Sequence, residues 1–185
     1  MVDGFRYSDV CDLLEKSLGD KELEPEDSTE LMEFVNRGLP QLYAPNQTSY
    51  VVLGSYEDGY ISNTSAVANE LNSRAGAYAF LVADLPDLDI RDSLPAFRVK
   101  FHLICEHVDY VTGVYEDDVG GEIGELGKIS EMYLNKTHIF AREYEGEEPY
   151  STPTRSDMKV FNLNDRLYWW SDEGELREKV ENVPD

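Results

Sequence analysis

From Tyr50 onward, short apolar runs alternate with longer stretches of helical spacing, and this alternation constrains the fold more than any other feature. "YVVLGS" (50–55), "AYAFLVAD" (77–84), "VDYVTGVYE" (108–116), "KTHIFAREY" (136–144) and residues 166–170 have the length and composition of strands. Residues 64–74, 96–107 and 121–134 instead place apolar side chains three and four apart, the helical period. Residues 145–157 read as a loop, 158–162 as a short partner of the fifth strand, and Ser171 as the cap of a last helix. Strands separated by helices of this length form βαβ crossovers, hence a parallel sheet. The expectation is an α/β, doubly wound fold with a mainly parallel, five-stranded sheet of flavodoxin-like order.

The first 49 residues lack this alternation. Tyr7, Val10, Leu13, Leu14 and Leu18 predict a helix that Gly19 closes. Asp27 is expected to cap a second helix with Glu30 at the capping-box position, and Gly38 and Pro40 to stop it. Residues 1–49 thus read as an N-terminal helical extension on a core spanning 50–185. The helix pair serves either as a dimerisation arm, which would make a homo-oligomer, or as a cover for the sheet.

Charge excludes several partners. Sixteen Lys and Arg against 38 Asp and Glu give a net charge of −22, spread along the whole chain. Nucleic acid and anionic membranes are poor partners, because phosphate binding needs a basic patch. Self-repulsion of this size is relieved by concentrated salt. The chain resembles the cytosolic proteins of salt-in halophilic archaea; an acidic partner-binding protein is the other reading. No apolar run approaches the 18–20 or so residues of a membrane span, and the start lacks a secretory pattern, so a cytoplasmic location is expected. Cys11 and Cys105 read as free, small, half-buried thiols. His102, His107 and His138 are scattered, so no metal and no cofactor are expected.

In a doubly wound sheet, ligands bind beyond the carboxyl ends of the strands where the order reverses. That rule gathers Gly54, Ser55 and Tyr56 after the first strand, Asp84 after the second, and "DDVGGEIGELGK" (117–128) after the third. Gly120 and Gly121 let a ligand approach the backbone, and the helix after them offers unpaired N–H groups. The dinucleotide fingerprint is missing, since its first glycine would fall at Val119. Asp117, Asp118 and Glu122 are either ligand contacts or acids that favour a helix start. Glu125 lies on the flank of the arc formed by Ile123, Leu126, Ile129 and Tyr133. It is either a nucleophile toward an anomeric carbon or a surface glutamate. Tyr168, Trp169 and Trp170 read as core packing or as a nucleobase platform.

"GEIGELG" (121–127), with Asp117 and Asp118 before it, resembles the G-x-x-x-E-L-G signature of the nucleoside 2-deoxyribosyltransferase-like superfamily, to which TIR-like NAD glycohydrolases are structurally related. The resemblance implies a Rossmann-like core and Glu125 as the nucleophile that attacks the sugar. It further implies Asp118 or Asp117 orienting substrate, and Ser55 or Tyr56 lining the pocket. Glu122 stands where that family has a small or hydroxyl residue. The whole chain also resembles a haloarchaeal family of unknown function with this core and an "LYWW" plus acidic-helix ending. The expected activity is binding of a nucleoside or nucleotide with cleavage or transfer at its N-glycosidic bond; the alternative is a non-catalytic nucleotide-sensing or protein-interaction domain.

Overall fold

Along the three inner strands nearly every side chain is buried on both faces, as a sheet flanked by helices requires. The computed structural model describes residues 24–39, 47–55, 60–91, 96–117, 123–146 and 149–185, with the backbone alone at 38, 123–125, 128 and 130. The helix expected at 7–18 lies outside these residues. Two compact units emerge, one from the described residues of Met1–Ala44 and Ala83–His107, the other from those of Pro45–Val82 and Val108–Asp185.

In the first unit, helix α1 (Pro25–Glu33) runs into a π-helical turn (Phe34–Gly38). Asp27 does not cap this helix, as the sequence suggested. The helix starts three residues earlier, at Pro25 with Glu24 as its cap, and the Asp27 carboxylate accepts the Glu24 N–H at 3.0 Å. Proline favours the first helical position because its missing N–H has no intrahelical partner there. Asp27 also accepts from the Arg91 guanidinium at 2.8 Å, and Arg91 reaches Glu24 as well. Helix α3 (Ala96–His107) buries every residue from Val99 to Cys105. Its buried Lys100 donates to the Leu85 carbonyl at 3.0 Å.

The second unit holds the sheet: β1 (Thr48–Gly54), β2 (Ala77–Leu81), β3 (Tyr110–Tyr115), β4 (Thr137–Arg142) and β5 (Leu167–Trp170). Every pairing is parallel, in the order β2-β1-β3-β4-β5. The flavodoxin-like order is therefore met. Helices α2 (Ile61–Asn72), α4 (Ile123–Met132), α5 (Thr152–Asn162) and α6 (Glu173–Val180) flank it. Register and the two-residue period of strands place Tyr50, Val52, Val114, Phe140 and Trp170 on one face. They form a core with Val67 and Leu71 of α2 and Leu176 and Val180 of α6.

Three expectations are corrected. Residues 158–162 are not a strand but the end of α5, because Thr154, Met158 and Phe161 are its buried residues, a helical spacing. The loop expected at 145–157 consequently gives way to helix at Thr152, with Pro153 in its first turn. Asp172, not Ser171, caps α6: its carboxylate accepts the Glu175 N–H at 2.9 Å, while Ser171 donates back to Glu175.

Candidate functional site at the carboxyl ends of β1, β3 and β4

The reversal of strand order lies between β1 and β3, both in the second unit. Gly54 ends β1 where α2 presses close. A Cβ there would sit 2.4 Å from Thr64 Oγ1 and 3.1 Å from the Val114 carbonyl oxygen. Its glycine is accounted for by helix–strand packing. That tight approach brings the first turn of α2 over the end of β3.

Glu116 follows β3 on the face that carries Val114, and it is only 6% exposed. Two donors hold its carboxylate: Asn63 Nδ2 of α2 donates to Oε1 at 2.7 Å, and Arg142 Nη1 of β4 to Oε2 at 2.6 Å. A buried carboxylate needs such partners. The Arg142 guanidinium carbon lies 4.9 Å from the Tyr144 ring and 5.2 Å from the Trp170 ring, within cation–π range. Burial is the largest influence on the Arg142 pKa and acts to lower it, but the hydrogen bond to Glu116 together with the attraction of Tyr144 and Glu116 leaves the pKa raised.

Asp117, one residue further, accepts from the Tyr60 hydroxyl at 2.8 Å. That bond raises the Tyr60 pKa, because losing the proton would set an anion against the carboxylate. The Tyr144 pKa is raised chiefly by burial, against the opposing pull of Arg142. Tyr150 fixes the frame: its buried hydroxyl donates to the Tyr115 carbonyl at 2.8 Å, with the Arg142 carbonyl 3.0 Å away. The strand ends thus gather two carboxylates, an amide, a guanidinium and several phenols.

Of the residues singled out in the sequence, Asp117 joins this cluster, and Ser55 is buried directly after β1. Asp84 is exposed, ending the 3₁₀ turn Val82–Asp84, and belongs to the first unit. Tyr56, Asp118, Gly120, Gly121 and Glu122 lie outside the described residues. Glu125 lies in α4, with only its backbone described. On that helix Leu126, Ile129 and the subsequent Tyr133 are buried, as the spacing predicts. Trp170 is core, whereas Trp169 is 40% exposed. Glu116, Asn63, Arg142, Tyr60, Tyr144 and Tyr150 were not singled out. The signal for them was a charge continuing an inward-facing apolar alternation: Val114 then Glu116, and Phe140 then Arg142, opposite in sign on neighbouring strands.

Among the described residues no group of three or more His, Cys, Asp or Glu could hold a metal ion, and no helix is long and apolar enough to cross a membrane.

Strand order and site define a doubly wound, Rossmann-like α/β protein with a polar cluster at its switch point. The chain belongs to the family of unknown function DUF8170, whose model matches residues 6–159. In fold it is similar to a crystal structure of a conserved protein from Enterococcus faecalis V583, with a TM-score of 0.53 and 10% identity over 73% of this chain and 98% of that one. No protein of curated function matches the chain in sequence.

Proposed function

We propose that the chain binds a nucleoside or nucleotide at the carboxyl ends of β1, β3 and β4 and acts at its N-glycosidic bond. The observation that carries this reading is the pair Glu116–Asp117 at the switch point, held by Asn63, Tyr60 and Arg142. Carboxylates and a phenol at fixed positions suit the hydroxyls of a sugar, since ribose offers donors and acceptors in alternation. The Glu116 carboxylate, kept in place by two donors, is preorganised to stabilise positive charge developing at an anomeric carbon. Glu125 is the proposed nucleophile, with Asp118 as a further substrate-positioning residue. Its carboxylate would attack the anomeric carbon, the bond to the base would break, and water or a second base would release the sugar. The net charge of −22 supports a working environment of concentrated salt in a halophile's cytoplasm.

The test is to incubate the protein in concentrated KCl with nucleosides, deoxynucleosides and NAD, following free base by chromatography. Release by the wild type and its loss in Glu125→Ala are the expected results. Equal release by the variant would remove Glu125 as nucleophile. Saturable binding without release would leave the second reading, a nucleotide-sensing domain without turnover.

A further inference from the structure

We propose that β5 is an interface: it pairs antiparallel, about a two-fold axis at Tyr168, with β5 of a second copy of this chain. Its backbone, its side chains and its charge each select that occupant.

β5 is last in the sheet order, so one of its margins faces away from β4. The Arg166 and Trp170 carbonyls accept from Ile139 and Glu143, so the even-numbered residues of β5 turn toward β4 and Leu167 and Trp169 turn outward. The outward backbone groups of these two residues meet no hydrogen-bond partner among the described residues. On either side the margin closes: the Asp165 N–H donates to the Asn162 carbonyl, and the Ser171 N–H to the Glu175 carboxylate at 2.9 Å. In an antiparallel pair, two facing residues exchange both backbone bonds. A pair centred on Leu167 or on Trp169 would set the other residue against the engaged Asp165 or Ser171. Centred on Tyr168, the pair sets Leu167 against the partner's Trp169 and Trp169 against the partner's Leu167. Every open group is then matched.

The side chains suit such a pairing. The strand reads Leu-Tyr-Trp-Trp, with none of the charges or prolines that keep sheet margins apart. Trp169 is 40% exposed, and Leu163, at the corner before β5, is 82% exposed. The Tyr150 ring, 6.1 Å from the Trp169 ring, backs the indole. In this register Trp169 covers the partner's Leu167 on the same face, an aromatic–aliphatic cross-strand pair.

Charge decides between copies of this chain more sharply than apolar surface does. Over residues 151–170, which include α5 and β5, three basic residues stand against two acidic, whereas the whole chain has 16 against 38. Two copies therefore repel least across this surface. The signs are also ordered along the strand. Lys159 and Arg166 outweigh Asp165 around its start, where the Arg166 N–H ties β5 to the end of α5, and Asp172 and Glu173 follow its end. A two-fold axis sets start against end, and so basic against acidic.

The experiment is sedimentation of the full chain in about 0.1 M and about 1 M KCl, where the screening length falls from about 10 Å to about 3 Å. The expected result is a reversible dimer whose dissociation constant falls as salt screens the remaining acids. Trp169→Lys, at an exposed position, should raise that constant at least roughly tenfold with an unchanged circular dichroism spectrum. Lysine lowers the net negative charge, so added repulsion between acidic chains would not account for the loss. Tyr168 would face itself across the axis at about 4.5 Å between Cα atoms, within disulfide reach. Tyr168→Cys should therefore give a cross-linked dimer with diamide as oxidant, under conditions that leave the wild type uncross-linked. A monomer in both salts, a dimer that Trp169→Lys leaves intact, or a Tyr168→Cys dimer that diamide fails to cross-link overturns the proposal.

Discussion

His138 illustrates how one buried side chain sets a proton balance. It is 4% exposed, near the start of β4. Arg166 Nη1 lies 2.9 Å from its Nε2 and donates to it, since a guanidinium has no acceptor. Nδ1 therefore carries the proton of the neutral ring and donates to the Tyr168 hydroxyl at 3.0 Å. Burial, aided by Arg166, lowers the His138 pKa to about 4. The unfolded chain takes up this proton near pH 6.5 and the folded chain only near 4, so the contribution is intact above 6.5 and is lost as pH falls between them. The expected loss is at most about 3 kcal/mol. Chemical denaturation from pH 7 to 4 should show a steeper decline for the wild type than for His138→Gln. Parallel slopes would sink this account. The same nonlocality hid the residues of the candidate site. Glu116 lies 53 positions from Asn63 and 26 from Arg142, and a strand's register with its neighbour is not written in either strand.

Among the elements, those with the strongest local pattern were the most legible. Helix α3 occupies the expected 96–107, and all five strands overlap the expected runs, because buried parallel strands and helical spacing both depend on nearby residues. Helix α5 was missed at its start because Ser151, Thr152, Pro153 and Thr154 have loop composition, whereas a proline in the first turn is a helix signal. Helix α2 carries a feature no local pattern announces. At its last residue, the Asn72 amide donates to the Ala79 carbonyl at 2.8 Å and accepts the Ala79 N–H at 2.8 Å. Ala79 turns these groups away from β1, because the alternate residues of β2 pair with it. The side chain thus pairs with the outer edge of β2 at Ala79 as a further strand would at that one residue. Asn72→Ala should lose about 1–2 kcal/mol through the two exchanged bonds. It should also raise self-association in sedimentation; unchanged stability and mass would count against the edge role.

For the whole molecule, electrostatics and topology govern behaviour together. With 38 acidic side chains against 16 basic ones, compaction brings like charges closer than in the extended chain. Raising KCl from about 0.1 M to about 1 M shortens the screening length roughly threefold. A relief of about 3 kcal/mol would lift the melting temperature by roughly 6–12 °C for a chain of this size. Scanning calorimetry across that range, with sucrose at matched osmolality as control, should show a larger rise for salt than the exclusion effect of the sugar alone gives. A flat profile would mean the acids do not act through self-repulsion. The same screening lets copies approach one another, and the amide that occupies Ala79 restricts how they can join. A ribbon that lengthens without end needs two receptive margins on every unit, and this one is interrupted on the first at Ala79. Lateral accretion through its other margin would halt at a pair, so concentrated brine would leave the protein as discrete particles and not as fibres.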